Sequence, residues 1–465
     1  MTFRKATLLA FALAIASSTT ARAQDSFAPD SLVRAILADR LAAKRGMGFV
    51  VAVLERGKPP RINSAGVAGL AGVPLDGNTV FEIGSITKVF TGALLADMVA
   101  RGEVRLDDPI SKYLPPSVRV PSRNGRQITL ADLSTQSSGL PRLPTNLRPT
   151  SIANPYADYS VTQLYEFLSG YTLPRDVGEK YEYSNLGVGL LGHVLSLRAG
   201  KPYGQLLKER ILDPLGMNDT GIELTASMNR RMAQGFNAEG TPMLLWDLPT
   251  LAGAGALRST ANDMLKFLAA NLDSASAPIG AVLTRARTSV RNADRPGNRI
   301  GLGWHIVDVF GSTETWHNGG TGGFRAFIGL DEAKHRGVIV LSNSTITPDD
   351  IGFHLLVPQI PLDRPRGPVK ERVAISVDPY KLAPYVGVFE LAPSFQLTVT
   401  LEGGSLFAQA TGQTKLQLFA ESETEFFLKV VDAQVTFVKD STGKVNQLIL
   451  HQNGANIPGA RVGTK

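Results

Sequence analysis

The sequence predicts an α+β fold, an antiparallel sheet flanked by helices, followed by a small all-β barrel. Three observations predict it. Two short β-rich segments near the N-terminus give way to a long stretch with helical spacing of apolar residues. From Ile300 the apolar period changes to two, as in successive antiparallel strands. Past four prolines (Pro358, Pro361, Pro365 and Pro368) alternation dominates again.

Residues 1–23 read as a secretory signal. Arg4 and Lys5 form the basic start, Ala6 to Ala16 the apolar segment, and Ala21-Arg22-Ala23 the small-x-small cleavage site before Gln24. That apolar run is too short to span a bilayer, and no later run is long enough. The chain has no cysteine, which excludes lipid attachment, disulfides, a thiol nucleophile and thiolate metal sites. Losing Arg4, Lys5 and Arg22 with the signal lowers the formal net charge from +7 to +4. The remaining charges are interspersed, with no basic run and no basic stripe interleaved with aromatics, so no nucleic-acid partner is expected. A hydrophobic content of 43% and a charged content of 19% describe a folded globular chain, and 465 residues allow two domains.

Ser31 to Ala43 has helical periodicity and ends at Gly46. Gly48 to Leu54 and Arg61 to Val67 form a hairpin across Arg56-Gly57-Lys58-Pro59-Pro60. Phe81-Glu82-Ile83-Gly84-Ser85-Ile86-Thr87-Lys88 turns into an apolar helix that stops near Gly102. Ile128 to Leu133 starts a short helix with Thr129 as its N-cap. Pro141 to Tyr159 is loop-like in composition, and helices follow at Leu186 to Leu197, Tyr203 to Leu212 and Met264 to Leu272. Leu302 to Val309, Thr313 to Asn318, Ala326 to Leu330 and Val338 to Asn343 read as antiparallel strands, expected to share one sheet with the early hairpin. Residues 358–377 read as a Pro-rich linker. Beyond it, about eight short strands suggest a small barrel or sandwich over 378–465.

Three short patterns carry chemistry. Ser85 opens the apolar helix and Lys88 lies three residues on, on the same face. Burial and the positive end of the helix both disfavour a protonated lysine, so Lys88 can sit neutral and take a proton from Ser85. A decoy with the same spacing, Ser441 and Lys444, lies in a hairpin turn instead. Tyr183-Ser184-Asn185 is the only Tyr-x-Asn in the chain. A tyrosine against a cationic lysine can act as a base, and an asparagine offers donor and acceptor to an amide. His317-Asn318-Gly319-Gly320-Thr321-Gly322-Gly323 is glycine-rich enough for a ligand to approach the backbone closely.

Taken in chain order, Ser85-x-x-Lys88, Tyr183-x-Asn185 and His317-x-Gly319 resemble the penicillin-recognising serine hydrolases. Class C β-lactamases, serine D-alanyl-D-alanine carboxypeptidases, D-aminopeptidases and β-lactamase-like carboxylesterases are the nearest in pattern. The flanks agree: Phe81 to Gly84, Thr135-Gln136-Ser137-Ser138-Gly139-Leu140-Pro141, and Pro214-Leu215-Gly216-Met217. The resemblance implies a β-lactamase/transpeptidase-like hydrolase domain over 24–357 and a lipocalin-like barrel over 378–465. It implies Ser85 as acylated nucleophile, with Lys88 and Tyr183 exchanging its proton. Asn185 would hold the acyl-side amide, and the N–H groups of Ser85 and Gly320 would form the oxyanion hole. His317, Asn318 and Gly319 would bind substrate, with His317 facing its carboxylate or assisting Tyr183.

Class C β-lactamases carry Lys-Thr-Gly where this chain has His317-Asn318-Gly319, and a histidine is cationic only in part at neutral pH. The implied function is that of a periplasmic or secreted hydrolase acting on amides or esters through an acyl-enzyme, first of all on β-lactams. A D-alanyl-D-alanine carboxypeptidase or D-aminopeptidase and a carboxylesterase are the enzymatic alternatives. A cell-wall-binding module on a decayed hydrolase fold is the non-enzymatic one. The substrate would be a small molecule or derived from peptidoglycan. No cofactor or metal is implied, since the six histidines show no ligand spacing.

Overall fold

The computed structural model describes residues 27–363, 372–392, 395–411, 415–429, 433–452 and 455–462. The segment expected to be a secretory signal, residues 1–23, and residues 364–371 of the Pro-rich stretch lie outside them. The chain divides into two compact units between Pro365 and Arg366.

In the first unit, helix α1 (Asp30–Ala42) leads into the hairpin β1 (Gly48–Glu55) and β2 (Arg61–Gly66). Helix α2 (Thr87–Ala100) is the central one, buried on nearly every side from Thr87 to Met98. It closes at Gly102, whose φ of +70° suits a glycine, with Glu103 N–H returning to Met98 O at 2.9 Å. Helices α3 (Asn185–Ala199) and α4 (Ala261–Leu272) follow. Then come β3 (Arg291–Asn292), β4 (Asn298–Ile300), β5 (His305–Val309), β6 (Ser312–Gly320), β7 (Arg325–Asp331) and β8 (Arg336–Ser342), before helix α5 (Asp349–Leu356). The eight strands form one antiparallel sheet in the order β2-β1-β8-β7-β6-β5-β4-β3. The hairpin and the late meander therefore do share a sheet, joined by β1 against β8 in the register Phe49 to Ser342.

Alternation along the central strands sorts their side chains into two layers. Val50, Ala52, Ala326, Ile328 and Ile339 face the helical side around α2. Phe49, Val51, Phe327, Val338 and Val340 face α1 and α5. Both faces are covered, so these strands are apolar throughout.

Several elements differ from the sequence reading. Tyr203 to Leu212 is an α-turn over Tyr203–Leu207 that relaxes into a π-helix over Lys208–Leu212. The helix Val161–Gly170 was not expected, although Ser160 and Gln163 form a reciprocal capping box at its start.

The second unit is a closed eight-stranded barrel. Its strands, β9 (Gly387–Ala392) to β16 (Ala455–Val462), pair each with the next, and β9 closes on β16. Phe389, Val399, Leu406, Val435, Phe437 and Leu448 point inward. Tyr385 stacks on Phe437 with ring centroids 4.4 Å apart. The decoy Ser441 and Lys444 sit in an exposed turn ordered by Asp440, whose carboxylate accepts the N–H groups of Thr442 and Lys444.

Candidate active site

The site is built where α2 begins. Gly84–Ile86 is a single 3₁₀ turn feeding α2, and Gly84 adopts a φ of +50°. Strand β6 passes so close that a Cβ on Gly84 would lie 2.5 Å from Gly320 N. A Cβ on Gly319 would lie 1.9 Å from Ile83 O and 3.1 Å from Ser85 N. Glycine at both positions lets the backbones touch, with the Gly320 amide against Gly84 and the Ser85 amide against Gly319.

Lys88 is fully buried beneath Ser85. Its Nζ lies 3.0 Å from Ser85 Oγ, 2.8 Å from Asn185 Oδ1 and 2.6 Å from Ala254 O. The last contact explains the small residues of 252–257. Gly253 is wedged against Gly192 of α3, where a Cβ on either glycine would lie 3.0 Å from the Cα of the other. Thr91 Oγ1 of α2 donates to Gly253 O at 2.7 Å. A side chain on Gly253 would also meet Val188 O at 3.0 Å, so its neighbours would have to give way.

Burial holds the Lys88 amine far below the ordinary lysine range, and the nearby Arg142 cation pushes it the same way. A neutral amine has two N–H donors and one lone pair. The two carbonyl-type oxygens of Asn185 and Ala254 can only accept, so they take both donors. In the neutral form the lone pair faces the Ser85 hydroxyl, 3.0 Å away.

Tyr183 lies over the same amine, with its ring centroid 4.9 Å from Lys88 Nζ. Its phenol is pushed up to about 12 by desolvation, against the opposing pull of the Ser85 hydroxyl and of Arg142. The sequence reading had a cationic lysine lowering this tyrosine. The structure reverses that sign, because desolvation is the largest influence on the phenol. Tyr183 is aimed by Gln136, a buried residue at φ +59°. The backbone carbonyl of Gln136 accepts Glu182 N–H at 2.7 Å and its side chain accepts Ser184 N–H at 2.7 Å. A non-glycine residue in that region is strained and is held there by its surroundings.

Asn185 opens α3, with Ser184 as N-cap accepting Gly187 N–H at 2.8 Å. Its amide also reaches Tyr156 OH at 3.4 Å. Tyr156 belongs to the 141–159 loop and meets Trp246 edge-on with ring centroids 5.5 Å apart. Asn154 and Asp247 exchange two hydrogen bonds, of 3.0 and 2.9 Å, tying that loop to the 243–250 segment as one wall.

His317 is buried on β6, its ring centroid 6.3 Å from that of Tyr183 and 4.9 Å from that of His305. Its Nδ1–H donates to Asn318 O at 2.5 Å, since a carbonyl can only accept. Burial keeps the ring well below the usual histidine range and therefore neutral. The partly cationic histidine expected to face a carboxylate is thus not what the fold provides. His305 is likewise depressed, to about 4, by burial.

Asn318 needs correction as a substrate-binding side chain. Strand alternation turns it away from His317, and it donates to Asp349 Oδ2 of α5 at 2.5 Å on the other face of the sheet. The structure thus gathers Ser85, Lys88, Tyr183, Asn185, His317, Gly319 and Gly320, and leaves out the side chain of Asn318. Gln136, Arg142, Tyr156, Ala254 and His305 join them without having been singled out. Gln136 stands in the Thr135 to Pro141 flank and Ala254 in a run of small residues, and the other three leave no mark in the sequence. Among the described residues there is no group of three or more side chains suited to hold a metal ion. No helix among them is long and apolar enough to cross a membrane.

Comparison with known proteins bears on the same region. The Beta-lactamase family model matches residues 33–355, and a domain family of unknown function, DUF3471, matches residues 371–460. The chain is 31% identical over 342 residues to the D-alanyl-D-alanine-carboxypeptidase/endopeptidase AmpH of Escherichia coli strain K12, covering 64% of this chain and 86% of that protein. It is 26% identical over 329 residues to a beta-lactamase of Pseudomonas fluorescens, covering 64% and 88%. The crystal structure of a beta-lactamase/D-alanine carboxypeptidase from Pseudomonas syringae superposes with a TM-score of 0.62 at 22% identity, over 71% of this chain and 99% of that one. With the fold, the Ser85–Lys88 geometry and a family match across most of its length, this chain belongs to the beta-lactamase family of penicillin-recognising serine hydrolases.

Proposed function

We propose that the protein is an exported serine hydrolase that forms an acyl-enzyme at Ser85, with D-alanyl peptides as its principal substrate class and β-lactams as the second. The hydrogen-bond set of Lys88 carries this reading: two fixed acceptors leave one lone pair, directed at Ser85 Oγ.

As Oγ attacks the carbonyl carbon, its proton passes to Lys88 Nζ. The developing oxyanion lies between the amides of Ser85 and Gly320. Tyr183, a neutral phenol at physiological pH, gives its proton to the leaving nitrogen and recovers one from the Lys88 ammonium. Water then reverses the sequence at the ester, returning Lys88 to its neutral form. Asn185 Nδ2 faces the acyl-side carbonyl, while its Oδ1 orients Lys88. The glycine-bearing end of β6 offers its backbone to an extended acyl chain.

The resemblance to AmpH, a D-alanyl-D-alanine-carboxypeptidase/endopeptidase, favours the peptide reading, while the likeness to beta-lactamases keeps the second reading in play. Export rests on the Arg4 to Ala23 pattern. The decisive experiment incubates the mature protein with a penicillin and reads intact mass. A single adduct on Ser85, absent in Ser85→Ala, is expected, together with release of D-alanine from a D-Ala-D-Ala peptide. Persistence of the adduct in Ser85→Ala refutes the assignment. Absence of both adduct and peptide turnover favours a binding module.

A further inference from the structure

Resting on the Ser85 acyl-enzyme proposed above, we propose that Arg142 is the carboxylate anchor of this site and selects acyl donors whose leaving group bears a free carboxylate. Four observations place it there. Its guanidinium carbon lies 5.0 Å from the centroid of the Tyr183 ring, on the phenol that serves the leaving group. Its charge is felt at Lys88, Tyr183, Tyr156 and Tyr181, so it sits at the centre of the site and not on its margin. The residue is nonetheless exposed. Its backbone is pinned, because Arg142 O accepts the N–H groups of Asn185 and Leu186 at 3.0 and 3.2 Å, the first amides of α3.

The guanidinium forms no ion pair among the described residues, and the nearby carboxylates are engaged elsewhere. Glu182 is held by Arg175 at 2.5 Å, and Asp294 accepts Asn298 at 3.0 Å. Other guanidinium groups of this region are occupied. Arg291 is on Asp132 at 2.7 Å, and Arg325 donates to Thr321 O and Phe324 O, both at 2.9 Å. An exposed arginine held over the Tyr183 ring, with its fork free of any carboxylate, is built to receive a carboxylate in bidentate fashion. It does so where His317 cannot, since that ring is buried and neutral.

The test uses benzylpenicillin and its methyl ester, which differ in one negative charge next to the leaving nitrogen. The rate of Ser85 acylation by each is read by intact mass on the full-length mature protein. Wild type is expected to favour the free acid by about tenfold or more, the worth of one charge-assisted contact. Arg142→Gln should collapse that ratio toward one, and Arg142→Lys should restore part of it. Taking the ratio divides out any general effect of the charge on Lys88. Equal rates in wild type, or a ratio unchanged in Arg142→Gln, overturn the assignment while leaving the acyl-enzyme intact. Acylation by neither compound overturns the assignment together with the acyl-enzyme reading on which it stands.

Discussion

Replacing Gly319 by alanine tests whether the close contact of β6 with the nucleophile turn is what makes the site work. The added Cβ would stand 1.9 Å from Ile83 O, and real Cβ atoms essentially never approach closer than 3.0 Å. Strand and turn must therefore part by at least 1.1 Å, the difference between those two distances. The obstacle is backbone on both sides, so no rotamer change relieves it. Overpacking of this kind costs about 1–3 kcal/mol, which lowers the melting temperature of a domain this large by roughly 1–4 °C. The parting also separates the amides of Ser85 and Gly320 from a common oxyanion, and misplacement by about 1 Å costs on the order of a hundredfold in rate. The assay is Ser85 acylation followed by intact mass, beside thermal unfolding. Gly170→Ala serves as control, since nothing lies within 4 Å of its added Cβ. A Gly319→Ala protein that acylates within threefold of wild type would refute the claim that this approach sets the oxyanion geometry.

The remaining predictions concern charge and face. Because burial and Arg142 hold the Lys88 amine well below the ordinary lysine range, the acylation rate should rise with pH through a limb below that range. Lys88→Met should abolish that limb along with most of the rate, and a limb unchanged in the variant would assign it elsewhere. Glu314 is buried on β6 beside Asp331, with its carboxyl raised to about 7 by desolvation. A raised folded value means that the unfolded chain loses this proton first, so stability falls as pH rises from about 4.5 to about 7. The whole interval is worth of order 3 kcal/mol. Glu314→Gln should therefore stabilise more at pH 8 than at pH 5 in thermal unfolding, and a gain independent of pH would contradict this. Asn318→Ala should cost about 1–3 kcal/mol through the stranded Asp349 carboxylate, yet leave the rate of Ser85 acylation near wild type. A loss of rate without a loss of stability would place its side chain in the site after all.

Motifs that act through local geometry were readable from the chain. Ser85 and Lys88 share a helical face because they are three residues apart, so their contact follows from the helix alone. Thr129 caps its helix, Gly102 ends α2, and the near-continuous apolar runs of β7 and β8 fit a sheet covered on both faces. Asn318 shows the limit of motif reading. A three-residue pattern on a strand must send its middle side chain to the opposite face, and period two predicts this once the strand is accepted.

By itself the sequence determined the fold class, the order of elements and the lysine that stands next to the serine, because each depends on spacing of a few residues along one helix or strand. Only the tertiary structure decided the protonation of that site. Whether Lys88, Tyr183 and His317 are charged depends on how completely distant segments exclude water from them, and on where Arg142 and Ala254 come to rest. Desolvation is summed over everything packed around a group, and no local pattern in the chain encodes that sum.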